Sequence, residues 1–326
     1  MDRLAPIDFI KAVAIVAVVA NHAVHVWAPP ITFWDIAVRW MVQFHVASFF
    51  VASGYLYARS GFRTFADVHR RLTRVLVPYV VASAIIWLLG YSDAKSFRDF
   101  AVLLASGGVL PIYYFVFLMT IFILLALPLA RLPRSAVALL LISLWVYKII
   151  LVVEPSLQPI RGWYWTMRDP RRTYDFFLAG WVAWAYREEL TRIAVRMRAP
   201  LLVTCLIVIV SYNVAYSSDA AFYDRFDLVT RVLYVLVTCT TIFLLTRDVR
   251  VPTTIRFVSQ ATYGIYLYHF PLTMAVQPLL VDVGAIARIT AALLVGLLGC
   301  AIGCWVVATY FPRISWWTVG FVADRD

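Results

Sequence analysis

The first apolar stretch of the chain carries ionisable side chains at helical spacing. Residues 7–22 read IDFIKAVAIVAVVANH, and His22 follows Lys11 by eleven positions. At about 100° per residue, eleven positions return to within about 20° of the same direction, some 16 Å further along the helix axis. Asp8 lies one turn before Lys11, and His25 lies one turn after His22. The spacing therefore predicts a polar stripe along one face of a membrane-length helix.

Such a stripe is a candidate for chemistry, because an ionisable side chain inside a membrane span is costly and usually functional. Histidine in particular exchanges a proton near neutral pH, since its ordinary pKa is about 6.5. Two structural interpretations stay open. Asp8 and Lys11 could extend their charges to the membrane interface, and His22 could simply hydrogen-bond a neighbouring helix. The common face of Lys11 and His22 favours a functional interpretation.

Two other apolar stretches contain polar groups. In FWDIAVRWMVQFHVASFFVASGYLY (33–57), Asp35 and Arg39 are four positions apart and are expected to pair. Ser53 and Gly54, in the same stretch, allow close approach of a ligand or of another helix.

The stretch ATYGIYLYHFPL (261–272) places Tyr263, Tyr266 and His269 on one broad helix face, and Pro271 is expected to kink the helix. The alternative for this face is aromatic packing without chemistry.

Two segments are rich in arginine. The first, RSGFRTFADVHRRLTRVLVP (59–78), is predicted to be a cytoplasmic loop, and arginine clusters of this kind bind phosphates. The second, RGWYWTMRDPRR (161–172), is predicted to lie outside. Basic loops near a membrane also meet lipid headgroups, and Trp163 with its aromatic neighbours could be an interfacial anchor. An anionic ligand on the outer face is the sharper alternative.

The composition requires a membrane to hold these segments. Apolar residues make up 63% of the 326-residue chain, charged residues 14%, and the mean hydropathy is +0.82. A soluble domain has about 45–50% apolar and 25% charged residues. The fold class predicted is an all-α polytopic membrane protein, one domain over residues 1–326. We predict a bundle of ten spans, at roughly 7–27, 33–57, 75–91, 111–130, 136–153, 172–187, 200–217, 228–246, 259–280 and 286–311.

The distribution of Lys and Arg orients the bundle. With both termini in the cytoplasm, about twice as many of these residues lie in inside segments as in outside loops, as the positive-inside rule requires. The formal net charge of +11 thus needs no nucleic acid to explain it. We expect the first span to be retained and not cleaved as a signal peptide. No metal site is expected, because Cys205, Cys239, Cys300 and Cys304 fit no zinc spacing.

Taken together, four motifs resemble the acyltransferase-3 family of integral membrane O-acyltransferases. IDFIKAVAIVAVVANH resembles its first-helix signature, HVASFFVASGYL its second helix, RRLTRVLVPY the basic segment that follows, and YGIYLYHFP its penultimate-helix motif. The signature maps onto Asp8, Lys11 and His22. Lys11 stands where the family more often has arginine, so it offers a point charge in place of a bidentate fork.

The resemblance implies acyl transfer, commonly acetyl, from cytoplasmic acyl-coenzyme A as co-substrate to a hydroxyl of a surface or lipid-linked glycan. His22 is then the expected general base, and a transient acyl-histidine is the other possibility. Donor-binding roles are expected for Lys11, Arg59, Arg70, Arg71 and Arg74. Acceptor-binding roles are expected for Arg161, Trp163, Arg171 and Arg172. Supporting roles are expected for Asp8, Asn21, Asp35, Arg39, Ser53, Tyr266 and His269.

Several points stay open at the level of sequence. Ser53, Tyr266 and Asn21 are equal candidates for stabilising an oxyanion. The resemblance implies a bacterial cell membrane as the location, and the oligomeric state is undetermined. A transporter or flippase for lipid-linked intermediates would also use polar groups inside a bundle, but no repeated halves or paired broken helices are visible. A non-catalytic membrane partner in polysaccharide assembly is the third possibility.

Overall fold

A computed structural model of the protein describes residues 4–25, 38, 41–157, 166–218, 220–280 and 283–321, with side chains for all of these except 25, 215–218 and 220–227. The predicted site residues Asp35, Arg39, Arg161 and Trp163 lie outside the described residues.

Regular structure in the described residues is helical throughout. The α-helices are α1 (Ala5–His25), α2 (His45–Ser60), α3 (Phe65–Leu88), α4 (Phe97–Ala105), α5 (Tyr114–Leu129), α6 (Arg134–Val153), α7 (Tyr174–Ala185), α8 (Arg187–Arg196), α9 (Arg198–Ser218), α10 (Ala220–Thr246), α11 (Thr253–Val276), α12 (Ala285–Leu294), α13 (Cys300–Tyr310) and α14 (Pro312–Thr318). A π-helical turn, Val295–Gly299, joins α12 to α13.

Helices long and apolar enough to cross a membrane number six in the described part of the chain, and the pair α8–α9, bent by 92°, makes a seventh if counted as one span. The six are Ala5–Val24, Phe65–Leu88, Pro111–Leu129, Arg134–Val153, Leu228–Thr246 and Ala285–Tyr310. The all-helical, multi-pass membrane class is confirmed, whereas the count of ten is not. The orientation of the termini stays a prediction.

The remaining three predicted spans fail this test for different reasons. The helix in 172–187 has only 12 residues, about 18 Å of rise against a hydrocarbon core of about 30 Å. Of 33–57, the structure describes one helix of 16 residues. The helix in 259–280 has 24 residues, but its Ser, Gln, Thr, Tyr and His side chains lower its hydropathy. These polar residues include the predicted site residues Tyr266 and His269.

The chain forms two compact units. The first unit comprises Met1–Ala14, Gln43–Val68 and Leu124–Pro252. The second unit comprises Ile15–Val42, His69–Ile123 and Thr253–Asp326.

In the first unit, α2 and α7 approach until their backbones touch. A Cβ atom added at Gly54 would lie 1.9 Å from the carbonyl oxygen of Phe177, and one added at Gly180 would lie 1.9 Å from that of Val51. Each helix presents a glycine where the other backbone passes, as small residues do at membrane helix contacts. Of the two possibilities for Gly54, the structure places a helix there.

In the second unit, the later part of α1 is buried. Ile15, Val18, Val19 and Ala23 are all 0% exposed. Close packing also joins α11 to the C-terminal helices, because a Cβ atom added at Gly264 would lie 2.6 Å from the Cys304 sulfur. The core of this unit therefore surrounds α1 and α11, the two helices that carry His22 and His269.

We predict that Gly54→Ala and Gly180→Ala each lower the melting temperature of the detergent-solubilised protein, measured by size-exclusion chromatography after heating. The added methyl group must displace backbone, and overpacking of this kind costs about 1–3 kcal/mol. Gly303→Ala is the matched control, since a Cβ there meets nothing within 4 Å and alanine favours a helix. Equal melting temperatures for Gly54→Ala and Gly303→Ala would contradict the close crossing.

Candidate active site

Pro271 removes one backbone hydrogen bond from α11, which continues as a single helix from Thr253 to Val276. Proline has no N–H, so the carbonyl four residues earlier, that of Leu267, loses its helical hydrogen-bond donor. The hydroxyl of Tyr113 donates to this carbonyl at 2.7 Å, and Tyr113 is 0% exposed. A side chain from another segment of the second unit thus replaces the hydrogen bond that proline removes from the helix.

Two tyrosines of α11 make similar contacts in the opposite direction. Tyr266 donates its hydroxyl hydrogen to the carbonyl of Ile112, and Tyr263 donates to the carbonyl of Val75 at 2.6 Å. Both hydroxyls therefore form hydrogen bonds with the backbone of segments other than α11. The aromatic face predicted for α11 therefore fixes the helix by hydrogen bonds as well as by packing.

The same turn of α11 carries His269, which meets His22 of α1. His22 Nδ1 lies 3.0 Å from His269 Nε2, and the ring centroids are 5.1 Å apart. His269 is 0% exposed, while His22 is half-buried. Phe270 packs edge-on against His22, with centroids 5.5 Å apart. Two histidines separated by 247 positions in sequence thus form one hydrogen-bonded pair.

The second nitrogen of His269 is also engaged. Its Nδ1 lies 3.0 Å from the carbonyl oxygen of Ile265 and 2.9 Å from that of Tyr266. The carbonyl of His269 itself accepts a hydrogen bond from the hydroxyl of Thr273 at 2.7 Å. The ring is therefore held at both nitrogens.

The π-helical turn packs against residues one turn away from each of the two histidines. A Cβ atom added at Gly296 would lie 2.8 Å from Thr273 Oγ1 and 2.9 Å from Val19 Cγ1. Val19 lies one turn before His22 on α1, and Thr273 lies one turn after His269 on α11. Glycine at this position lets the three segments meet, and π-helical turns are frequent at functional sites.

Helix α1 bears out the geometry expected for the first signature. It runs unbroken from Ala5 to His25, so Lys11 and His22 share one helix with about 16 Å of rise between them. Asp8 and Lys11 are half-buried, and Asn21 is 8% exposed. The sequence analysis did not anticipate that His22 contacts His269.

The basic segment is mostly helix, so the prediction of a loop over 59–78 was wrong. Only residues 61–64 separate α2 from α3. Thr64 and Asp67 form a capping box: the Asp67 N–H donates to Thr64 Oγ1 at 3.3 Å, and the Thr64 N–H donates to Asp67 Oδ2 at 3.0 Å. The box starts α3 before the apolar run begins. Arg59 lies in the last turn of α2, whereas the next three predicted donor ligands, Arg70, Arg71 and Arg74, lie in α3.

The three oxyanion candidates differ in their surroundings. The hydroxyl hydrogen of Tyr266 is held by the Ile112 carbonyl, so Tyr266 must break that bond before it can donate to an oxyanion. Asn21 adjoins His22 in sequence and is buried. Ser53 is half-buried beside the glycine crossing of the first unit. Of the three candidates, Tyr266 is the one whose hydroxyl is already held by a named acceptor.

The arginines before α7 are partly engaged by neighbours. Arg171 forms a two-pronged ion pair with Asp169, with Nε–Oδ1 at 2.9 Å and Nη2–Oδ2 at 2.6 Å. Hydrogen bonding to Asp169 raises the pKa of Arg171. The backbone carbonyl of Arg172 accepts from Lys148 at 2.9 Å, and the Arg172 side chain is half-buried. Arg171 therefore already has a carboxylate in the position that an acceptor anion would take.

A buried ion pair was missed by the sequence analysis. Lys148 Nζ lies 2.7 Å from Asp175 Oδ1, and the two side chains are 3% and 0% exposed. Trp145 Nε1 donates to the other carboxylate oxygen at 3.3 Å, and Lys148 also lies 4.8 Å above the Phe176 ring. The available signal was Lys148 itself, because a lysine inside a span requires a partner. Sequence spacing gave no way to choose Asp175.

No group of three or more His, Cys, Asp or Glu side chains is placed to hold a metal among the described residues. All four cysteines are buried free thiols.

Comparison with family models gives a match to the acyltransferase domain over residues 4–309. No curated protein and no solved structure shows significant similarity to the chain. The match covers nearly the whole chain, so the protein belongs to the acyltransferase-3 family and is an acyltransferase. The family therefore selects the enzyme from the three classes that the sequence analysis left open.

We predict that Lys148→Met or Asp175→Leu alone strongly destabilises the protein, and that the double variant recovers much of the loss. Removing one partner leaves a buried charge, which costs about 3–5 kcal/mol, whereas replacing both with apolar residues is often neutral. The measurement is the melting temperature in detergent.

The exposed pair Arg134–Glu189, at 3.0 Å, provides the control. Arg134→Met is expected to change the melting temperature little, because solvent screens an exposed pair. Single and double variants at Lys148 and Asp175 with additive losses would rule out the coupling described here.

Proposed function

Because the chain is an acyltransferase in which His22 contacts His269, we propose that it transfers an acyl group, acetyl, from cytoplasmic acyl-coenzyme A to a hydroxyl of a surface or lipid-linked glycan. His22 is the general base in this proposal. The observation that carries it is the 3.0 Å contact between His22 and His269, which holds an imidazole at a fixed place on the signature helix.

The proposed reaction balances with two proton transfers at one ring. His22 takes the proton of the acceptor hydroxyl as its oxygen attacks the thioester carbonyl carbon. The tetrahedral intermediate then collapses, the carbon–sulfur bond breaks, and the new ester carbon–oxygen bond remains. The imidazolium of His22 returns its proton to the departing thiolate. The products are the O-acylated glycan and free coenzyme A, and the enzyme ends in its starting state.

Donor binding is assigned to Lys11, in the N-terminal half of α1, and to arginines of α2 and α3. Lys11 lies about 16 Å of helix rise from His22, a distance of the same order as an extended pantetheine arm. Lys11 is proposed to contact the phosphates of coenzyme A. The arginines proposed to assist it are Arg59, Arg70, Arg71 and Arg74. Arg70 and Arg74 are exposed and four positions apart on α3, so they share a face from which they can bind phosphate oxygens.

Acceptor binding is assigned to the segment before α7. Arg161, Trp163 and Arg172 are proposed to contact the glycan or its lipid-linked phosphate, by charge and by stacking. We propose a structural role for Arg171 and not a role in binding, because its guanidinium is already paired with Asp169. It stabilises the turn that presents Arg172.

We predict that His22→Ala lowers acyl transfer by about 10²–10⁴-fold, the usual contribution of a general base. The assay supplies labelled acetyl-coenzyme A to membranes that contain the protein, and measures coenzyme A release and label in glycan and lipid fractions. The labelled fraction also identifies the acceptor class.

His69→Ala is the matched control, because His69 is an exposed histidine of α3 with no assigned role. It should retain most of the activity at equal protein level. Undiminished transfer by His22→Ala would end the proposal for His22.

A further inference from the structure

The hydrogen bonds around His269 determine which of its nitrogens carries hydrogen. Nδ1 faces two backbone carbonyl oxygens, those of Ile265 and Tyr266, at 3.0 and 2.9 Å. A carbonyl oxygen can only accept a hydrogen bond. Nδ1 of His269 must therefore be the protonated nitrogen that donates to them. The ring is 0% exposed, and a charge buried away from water is costly, so the ring is neutral and its Nε2 has a lone pair.

The same reasoning determines which nitrogen of His22 carries hydrogen. Its Nδ1 lies 3.0 Å from the lone pair on His269 Nε2, so His22 Nδ1 must supply the hydrogen between them. A neutral imidazole carries one hydrogen. The lone pair of His22 is then on Nε2, the nitrogen on the far side of the ring from His269.

We propose that His269 is a positioning residue that fixes His22 in its Nδ1–H tautomer and directs the Nε2 lone pair of His22 at the reacting hydroxyl. This inference rests on the proposed function for its catalytic consequence, but the tautomer itself does not depend on it. Free histidine side chains favour hydrogen on Nε2, so the protein selects the less common form. When His22 becomes positively charged, its hydrogen bond to His269 becomes charge-assisted and stabilises the imidazolium.

The surroundings hold His269 in this role. Pro271, two residues later, removes a helical hydrogen bond that Tyr113 replaces, so the turn around His269 keeps a defined shape. Gly296 lets the π-helical turn press against Thr273 and Val19, the neighbours of the two histidines on their helices. The bonds at both nitrogens satisfy the polar groups of this buried ring, and they also fix its orientation toward His22.

The direct test is the ¹⁵N spectrum of histidine-labelled wild-type protein in membranes. The signals of His22 are assigned by their loss in His22→Ala. We expect a protonated Nδ1 and an unprotonated Nε2 at His22, and the same pattern at His269. In His269→Leu, which removes the acceptor, His22 should lose its preference for Nδ1–H. Hydrogen on Nε2 of His22 in the wild-type protein would overturn the inference.

Activity gives a second, separable readout. His269→Leu should lower kcat by at least about tenfold, up to the roughly 10²–10⁴-fold contribution of a general base, with the KM for acetyl-coenzyme A unchanged. His269→Gln places a side-chain carbonyl where Nε2 was and should restore both the His22 tautomer and much of kcat. A leucine variant with normal kcat, or a glutamine variant no better than leucine despite equal protein level, would contradict the positioning role.

The two claims fail in different ways. If His22→Ala is fully active while the spectrum shows Nδ1–H at His22, the proposed function fails and the tautomer assignment stands. If His22→Ala is inactive while the spectrum shows Nε2–H, His22 is needed but His269 does not position it as inferred.

Discussion

The constraint on which this structure depends is that polar groups removed from water must find partners inside the protein. In hydrocarbon an unpaired backbone carbonyl costs several kcal/mol, and an unpaired charge costs more. The carbonyl of Leu267, released by Pro271, is met by the Tyr113 hydroxyl. Lys148 and Asp175 meet each other with every charged atom bonded. His269, fully buried, is bonded at both nitrogens.

This constraint links the fold to the proposed chemistry. Pro271 deprives the Leu267 carbonyl of its helical donor, and the Tyr113 hydroxyl that replaces it connects α11 to another segment within two residues of His269. The hydroxyls of Tyr263 and Tyr266, on the same helix, donate hydrogen bonds to two further backbone carbonyls. Each bond removes a way for His269 to move, so the imidazole that faces His22 has a defined orientation. Preorganisation of this kind lets a catalytic group act without reorganising its surroundings.

Much of the site could be predicted from residue spacing within single helices. The unbroken α1, the common face of Lys11 and His22, the missing helical donor at Pro271 and the close approach at Gly54 all follow from helical periodicity and residue type. The pairs His22–His269 and Lys148–Asp175 could not be predicted, because periodicity gives the face of a helix and not the partner that the face will meet. The start of α3 was missed because the capping box at Thr64 lies before the apolar run. The polar residues of α11 lower its hydropathy below that of the helices that qualify as membrane spans. The same polar residues form the site.

The most direct measurement of the central claim is an experimental structure of the protein in a lipid nanodisc with a non-transferable thioether analogue of acetyl-coenzyme A. The account predicts the diphosphate beside Lys11 and the acyl carbonyl carbon within about 6 Å of His22 Nε2. That distance allows one hydroxyl oxygen between them, about 3 Å from each. An analogue whose acyl end lies away from His22, or which binds with its phosphates at the His22 end of α1, would contradict the account.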